Sequence, residues 1–227
     1  MTQDDEARSA AAARSAALER ACDFGGAARA SLEARDPRRA ALLASLAGDD
    51  ELAARAVAEA GATLSREEAM RCAAELSSRG FGKPAGALYT AIGEHLAAAQ
   101  AFAITDDAVS AARSYDRAGK PAEGARALEA ALKTRPAAGA LRLELGRLLA
   151  RHGRVEAAAK ALQQIAIDSP DHARSLPLLC RCLRELSLEE AAHAVELEMK
   201  QLGVADEEPE RGDEIEPASR ASPALFG

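Results

Sequence analysis

The feature that most limits what this chain can fold into is a pattern that appears twice between about residues 105 and 170, shifted by one constant offset. Gly119 recurs as Gly153, Leu128 as Leu162 and Pro136 as Pro170. Ala112 becomes Gly146, Tyr115 becomes Leu149, and Ala131 becomes Ile165. Each unit reads as apolar helix, glycine turn, apolar helix, proline stop. One such unit cannot bury its apolar face alone, so stacking on a neighbour is the way it gains a core.

The offset, about 34 residues, and the order of small, large and proline positions resemble the tetratricopeptide repeat. The resemblance implies an all-α chain, a right-handed α-solenoid of antiparallel helix pairs, clearest over residues 105–170. Two departures stand out: Ala108 and Arg142 occupy the first-helix position where the family usually has an aromatic. The expected organisation is a short-helix region at 1–65, tetratricopeptide-like repeats at 66–204, and an acidic, disordered tail at 205–227, with ten to twelve helices in all.

Before the clear repeats runs a shorter rhythm. Residues 4–21 are alanine-rich and helix-prone. Asp23, Asp36 and Asp49 then follow at equal steps, each ahead of an alanine-rich run. An aspartate there predicts an N-cap, because its carboxylate accepts the unpaired N–H groups of the first helical turn. Pro37 sits where a first-turn residue has no N–H bond to lose. Ser65 and Glu68 form a capping-box pattern ahead of a helix to Ser78. The tetrad Gly82-Lys83-Pro84-Ala85 returns as Gly119-Lys120-Pro121-Ala122, which makes residues 66–92 an earlier, diverged pair; 94–103 adds a short helix. Further helices are expected at 138–151, 155–167 and 188–202, and Pro177 is expected in the first turn of a helix ending near Leu186.

Composition narrows the function classes. The chain has six aromatics, no Trp and no Asn, and its apolar content is mostly Ala and Leu. No window is long and apolar enough for a membrane span, and the acidic start is unlike a signal peptide, so a cytoplasmic protein is expected. The Ala/Arg-rich usage reads as high-GC bacterial coding. Net charge is −7, and the stretch from Asp206 onward carries seven acids against Arg211 and Arg220, which leaves the body nearly neutral. Without a basic cluster, nucleic-acid binding is disfavoured. No membrane partner is expected.

Nothing points to catalysis. His95, His152, His172 and His193 are scattered, and no phosphate-binding loop, metalloprotease, nucleophile-elbow or kinase motif is present. Cys180 and Cys182 stand two apart within a helix and so do not share a face; no zinc spacing surrounds them. All four cysteines are expected to be buried or half-buried free thiols. No enzyme activity, cofactor or metal is expected.

The functional candidate is a row of arginines. Arg113 and Arg117 recur as Arg147 and Arg151 at the repeat offset, each pair at i, i+4 on one helix face. The resemblance places these positions in the groove lined by first helices, with Val109 and Leu143 as apolar neighbours. Guanidinium groups in that arrangement suit carboxylates, which they grip bidentately. Asp116 and Glu144 offer local neutralisation instead. The asparagine-containing carboxylate clamp of chaperone-binding family members has no counterpart in a chain without Asn. The leading expectation is a non-catalytic scaffold or adaptor that binds an acidic or extended segment of another protein in a concave groove, with its own acidic tail as a competing occupant. The second is a regulatory repeat region of a larger bacterial signalling protein, such as a Ser/Thr kinase, whose catalytic domain lies outside this chain. That reading rests on a resemblance of layout around Pro223–Gly227.

Overall fold

The computed structural model describes residues 3–205, and these form thirteen α-helices with no strand. The acidic tail, from Asp206 onward, lies outside the described residues. The chain divides into two compact units, Met1–Ser114 and Tyr115–Gly227.

Unit 1 holds α1 (Gln3–Arg20), α2 (Phe24–Glu33), α3 (Pro37–Ala47), α4 (Asp50–Thr63), α5 (Arg66–Ser78), α6 (Gly82–Ala91), α7 (His95–Ile104) and the first part of α8 (Ala108–Arg117). The three aspartates cap as their sequence positions predict. Asp23 accepts from the Gly26 amide at 2.8 Å, Asp36 from Arg39 at 3.0 Å and Asp49 from Leu52 at 2.9 Å. The Ser65–Glu68 capping box is formed in both directions. Asp107 caps α8, accepting from the Ser110 amide at 3.1 Å.

Every turn between helices of unit 1 except that between α4 and α5 is built from one repeated device, which keeps α2, α3, α6 and α7 short. A residue with positive φ follows the helix, and the next amide donates to the carbonyl five positions back. Cys22, Arg35 and Gly48 supply three such residues at the step of the capping aspartates; Gly80, Gly93 and Asp106 supply three more at the same step. In Asp36 N–H to Ser31 O and Phe81 N–H to Leu76 O the bond is 2.9 Å. So short a step leaves room for helices the length of α2, α6 and α7, and at a fixed distance past the turn stands a pair of small residues. Ala27-Ala28, Ala40-Ala41 and Ala98-Ala99 are fully buried there. The small pairs let helices approach closely, and Leu43, Leu76 and Leu88 fill the spaces between them. Each such leucine contributes about 1.5–3 kcal/mol. Gly86 shows how close the approach is: a Cβ there would lie 2.8 Å from the Phe102 ring.

Unit 2 holds the end of α8, then α9 (Pro121–Thr134), α10 (Gly139–Arg151), α11 (Val155–Gln163), α12 (His172–Glu185) and α13 (Glu189–Leu202). The turn device continues here at the longer step: Gly119, Gly153 and Ser187 all have positive φ and follow one another at the repeat offset. The third position extends the repeat to α12 and α13. Serine in place of glycine hides it in the sequence. Pairs are joined by these tight turns, whereas α9 and α11 end without one and lead into Pro136 and Pro170.

Three expectations are corrected. Helix α11 stops at Gln163 instead of reaching Ile167, because Ile165 N–H bonds back to Leu162 O at 3.0 Å and the chain turns away. Ile167 is then 80% exposed. Pro177 is the sixth residue of α12 and lies beyond its first turn. Burial of Leu176 and Leu179 on either side outweighs the amide bond that proline cannot make. Finally, Cys22 is exposed, because it occupies a turn; Cys72, Cys180 and Cys182 are buried thiols outside any disulfide.

Candidate partner-binding surface

The boundary between the units falls within α8, after Ser114. Val109, partly buried, and Arg113, exposed, lie on the unit 1 side of it. The other four candidates, Arg117, Arg147, Leu143 and Arg151, belong to unit 2. Arg117 is exposed at the end of α8; Leu143 is buried within α10.

Arg147 and Arg151 share a helix but not a surrounding. Arg151 reaches the carboxylate of Asp116, at the end of α8, and that carboxylate is almost entirely buried, with 2% of its side chain exposed. His152 Nε2 meets the other oxygen of Asp116 at 2.6 Å. One buried anion therefore holds two consecutive residues at the C-terminal end of α10. A buried carboxylate without partners would cost several kcal/mol, so the contacts answer a need of the fold. Arg147 stands one turn earlier, with its side chain 36% exposed and Nη1 3.9 Å from Glu144 Oε2. That distance is outside hydrogen-bonding range, so the ion pair is loose and the guanidinium remains partly open to solvent.

The third repeat adds a residue that the sequence reading missed. Arg181 lies one repeat beyond Arg147, on α12, and is exposed. Helices α10 and α12 pack against each other, so Arg147 and Arg181 occupy equivalent places on neighbouring helices. The position equivalent to Arg151 is Glu185, which reverses the charge there. The signal was in the spacing, but Ser187 concealed the frame.

Unit 1 carries the same register. Counted from the turn residue, Arg29 on α2, Arg55 on α4 and Arg113 on α8 each stand seven positions along. One helical turn further come Glu33, Glu59 and Arg117.

The region these repeats occupy is matched by a known family: residues 109–173 fit the tetratricopeptide repeat model. These residues are a tetratricopeptide-like part of an all-helical chain. Among solved structures, that of PilF from Pseudomonas aeruginosa is similar over 88% of this chain and 94% of its own, at 18% identity and a TM-score of 0.39. No curated protein matches the chain. Repeats of the tetratricopeptide type generally mediate contacts between proteins. Among the described residues, no group of three His, Cys, Asp or Glu side chains could hold a metal. No helix among them is long and apolar enough to cross a membrane.

Proposed function

We propose that this protein is a non-catalytic docking scaffold, and that unit 2 holds a carboxylate-bearing, extended segment of another protein across α10 and α12. Arg147 and Arg181 make the contacts, with Arg117 at the flank. Arg151 acts differently: bound to Asp116, it positions the end of α10 and does not grip the partner. The observation that carries this reading is the equivalence of Arg147 and Arg181 on packed neighbouring helices. Adjacent guanidinium groups favour a partner that offers carboxylates at matching intervals.

A fluorescein-labelled peptide of alternating Glu and Gly tests it by anisotropy. An Arg147→Ala/Arg181→Ala chain should lose about tenfold in affinity or more, and parent binding should weaken as salt rises. Equal binding by both chains would sink the assignment. The acidic stretch Asp206–Glu216 supplies the same chemistry as the probe. If it competes, deleting residues 206–227 raises probe affinity at low salt; unchanged affinity removes the tail as an occupant.

A further inference from the structure

We infer a second docking site, in unit 1, between α2 and α4, that selects an extended segment with an acidic and a basic side chain two residues apart. A cleft of about 280 Å³ lies there, lined by Arg29, Leu32, Glu33, Arg55 and Glu59. Its charged walls come from one motif used twice. Arg29 and Glu33 on α2 recur as Arg55 and Glu59 on α4, two of the short steps later, so each helix presents the same cation and anion at i, i+4.

The two copies are engaged differently. Arg29 Nη2 lies 3.7 Å from Asp49 Oδ2, and Glu33 is paired with Arg14 on α1. Glu33 of the α2 copy is thus engaged within unit 1, whereas the Arg29 contact exceeds hydrogen-bonding range. Arg55 and Glu59 have no ion-pair partner among the described residues. They do not pair with each other, although they are one turn apart on α4. With arginine preceding glutamate, they are in the weaker orientation for such a pair. The α4 copy therefore presents one solvated cation and one solvated anion outside any ion pair, both lining the cleft, with Leu32 as an apolar side wall.

That geometry specifies its occupant. Side chains at i, i+4 of a helix are about 5–6 Å apart at Cβ. Residues i and i+2 of an extended chain lie on one side, about 6.6 Å apart. An acid-x-base triplet running along α4 thus sets its carboxylate on Arg55 and its cation on Glu59. A uniformly acidic segment would place a carboxylate against Glu59, and repulsion there excludes it. The site therefore discriminates by charge order, unlike the all-arginine positions on α10 and α12.

The test uses the full chain and two labelled peptides, Ser-Glu-Thr-Lys-Ser and Ser-Glu-Thr-Glu-Ser, read by anisotropy at low salt. In the Arg147→Ala/Arg181→Ala chain, which lacks the unit 2 site, the first should bind about tenfold tighter, and adding Glu59→Arg should reverse that preference. No binding of the first peptide, equal binding of the two, or a preference that survives Glu59→Arg overturns the inference. Should Glu59→Arg fail to fold, Arg55→Glu serves instead: it should shift preference towards Ser-Lys-Thr-Lys-Ser, and its absence of effect would count against the site.

Discussion

Asp116 and Arg151, 35 positions apart in the chain, are joined by an ion pair whose carboxylate is almost completely enclosed, and His152 completes the enclosure at 2.6 Å. The pair ties Arg151 to the fold of unit 2. Replacing Asp116 with Asn would leave the Arg151 guanidinium partly buried beside a neutral amide. We expect a loss of about 2–3 kcal/mol, seen as a lowered thermal midpoint by circular dichroism. Arg151→Ala should also destabilise, and the double variant should lose less than the sum. Strict additivity would mean that the pair does not couple.

Gly146 marks the crossing of α10 and α11. A Cβ built on it would lie 2.6 Å from Leu162 Cδ2 and 2.7 Å from Leu162 Cγ, closer than real contacts allow. Gly146→Leu should cost about 1–3 kcal/mol by overpacking. Gly146→Ala combined with Leu162→Ala should recover part of the loss of Leu162→Ala alone, because the added methyl occupies vacated space. Thermal melts of the four chains decide the matter, and a double variant no better than Leu162→Ala would refute the packing argument.

The Arg38–Glu75 contact links the start of α3 to α5 at 2.8 Å. The hydrogen bond from Arg38 holds the Glu75 carboxyl below the usual carboxylate range. A depressed pKa in the folded state adds stability that is present above the unfolded value, about 4.3 for glutamate. That stability disappears as pH falls through the lower folded value. Glu75→Gln should therefore flatten the acid limb of the stability curve below about pH 4.3, while melts at neutral pH show a small loss of at most ~1 kcal/mol, as for an exposed pair. An acid limb identical to the parent's would exclude this contribution.

Burial pushes the Cys72 thiol up to about 11. Its thiolate is thus disfavoured in the folded chain, whereas the same thiol in the unfolded chain ionises near about 8.5. Stability from this group is full below about pH 8.5 and declines as pH rises towards the folded value. The same burial, with that of Cys180 and Cys182, predicts one fast thiol in the native chain, Cys22, and four after denaturation. Titration with a chromogenic disulfide counts them, and a Cys22→Ser chain should lack the fast phase. A fast phase that remains would assign reactivity to a buried thiol.

Much of the local structure was legible because its chemistry is local. Asp23, Asp36 and Asp49 accept amides three positions on, and Ser65 and Glu68 satisfy each other over the same span. Where glycine marks a left-handed turn, as at Gly119 and Gly153, the repeat was visible; where Cys22, Arg35, Asp106 or Ser187 adopts that conformation, it was not. L-residues visit that region rarely, so residue type gives no warning. Pro177 misled for the opposite reason: its intrinsic cost was clear, and the burial on each side of it was not.

The candidate surface divides in the same way. The sequence by itself determined that the chain is a helical repeat, where most of its helices start, and that arginines recur at Arg113, Arg117, Arg147 and Arg151. Backbone hydrogen bonds and hydrophobic spacing act over a few residues, and those are written in order along the chain. Only the tertiary structure decided that Arg151 belongs to Asp116, that Arg181 joins Arg147, and that Arg55 and Glu59 line a cleft. Each of those depends on which helices pack together, and burial changes a charge's needs through neighbours that the linear order does not specify.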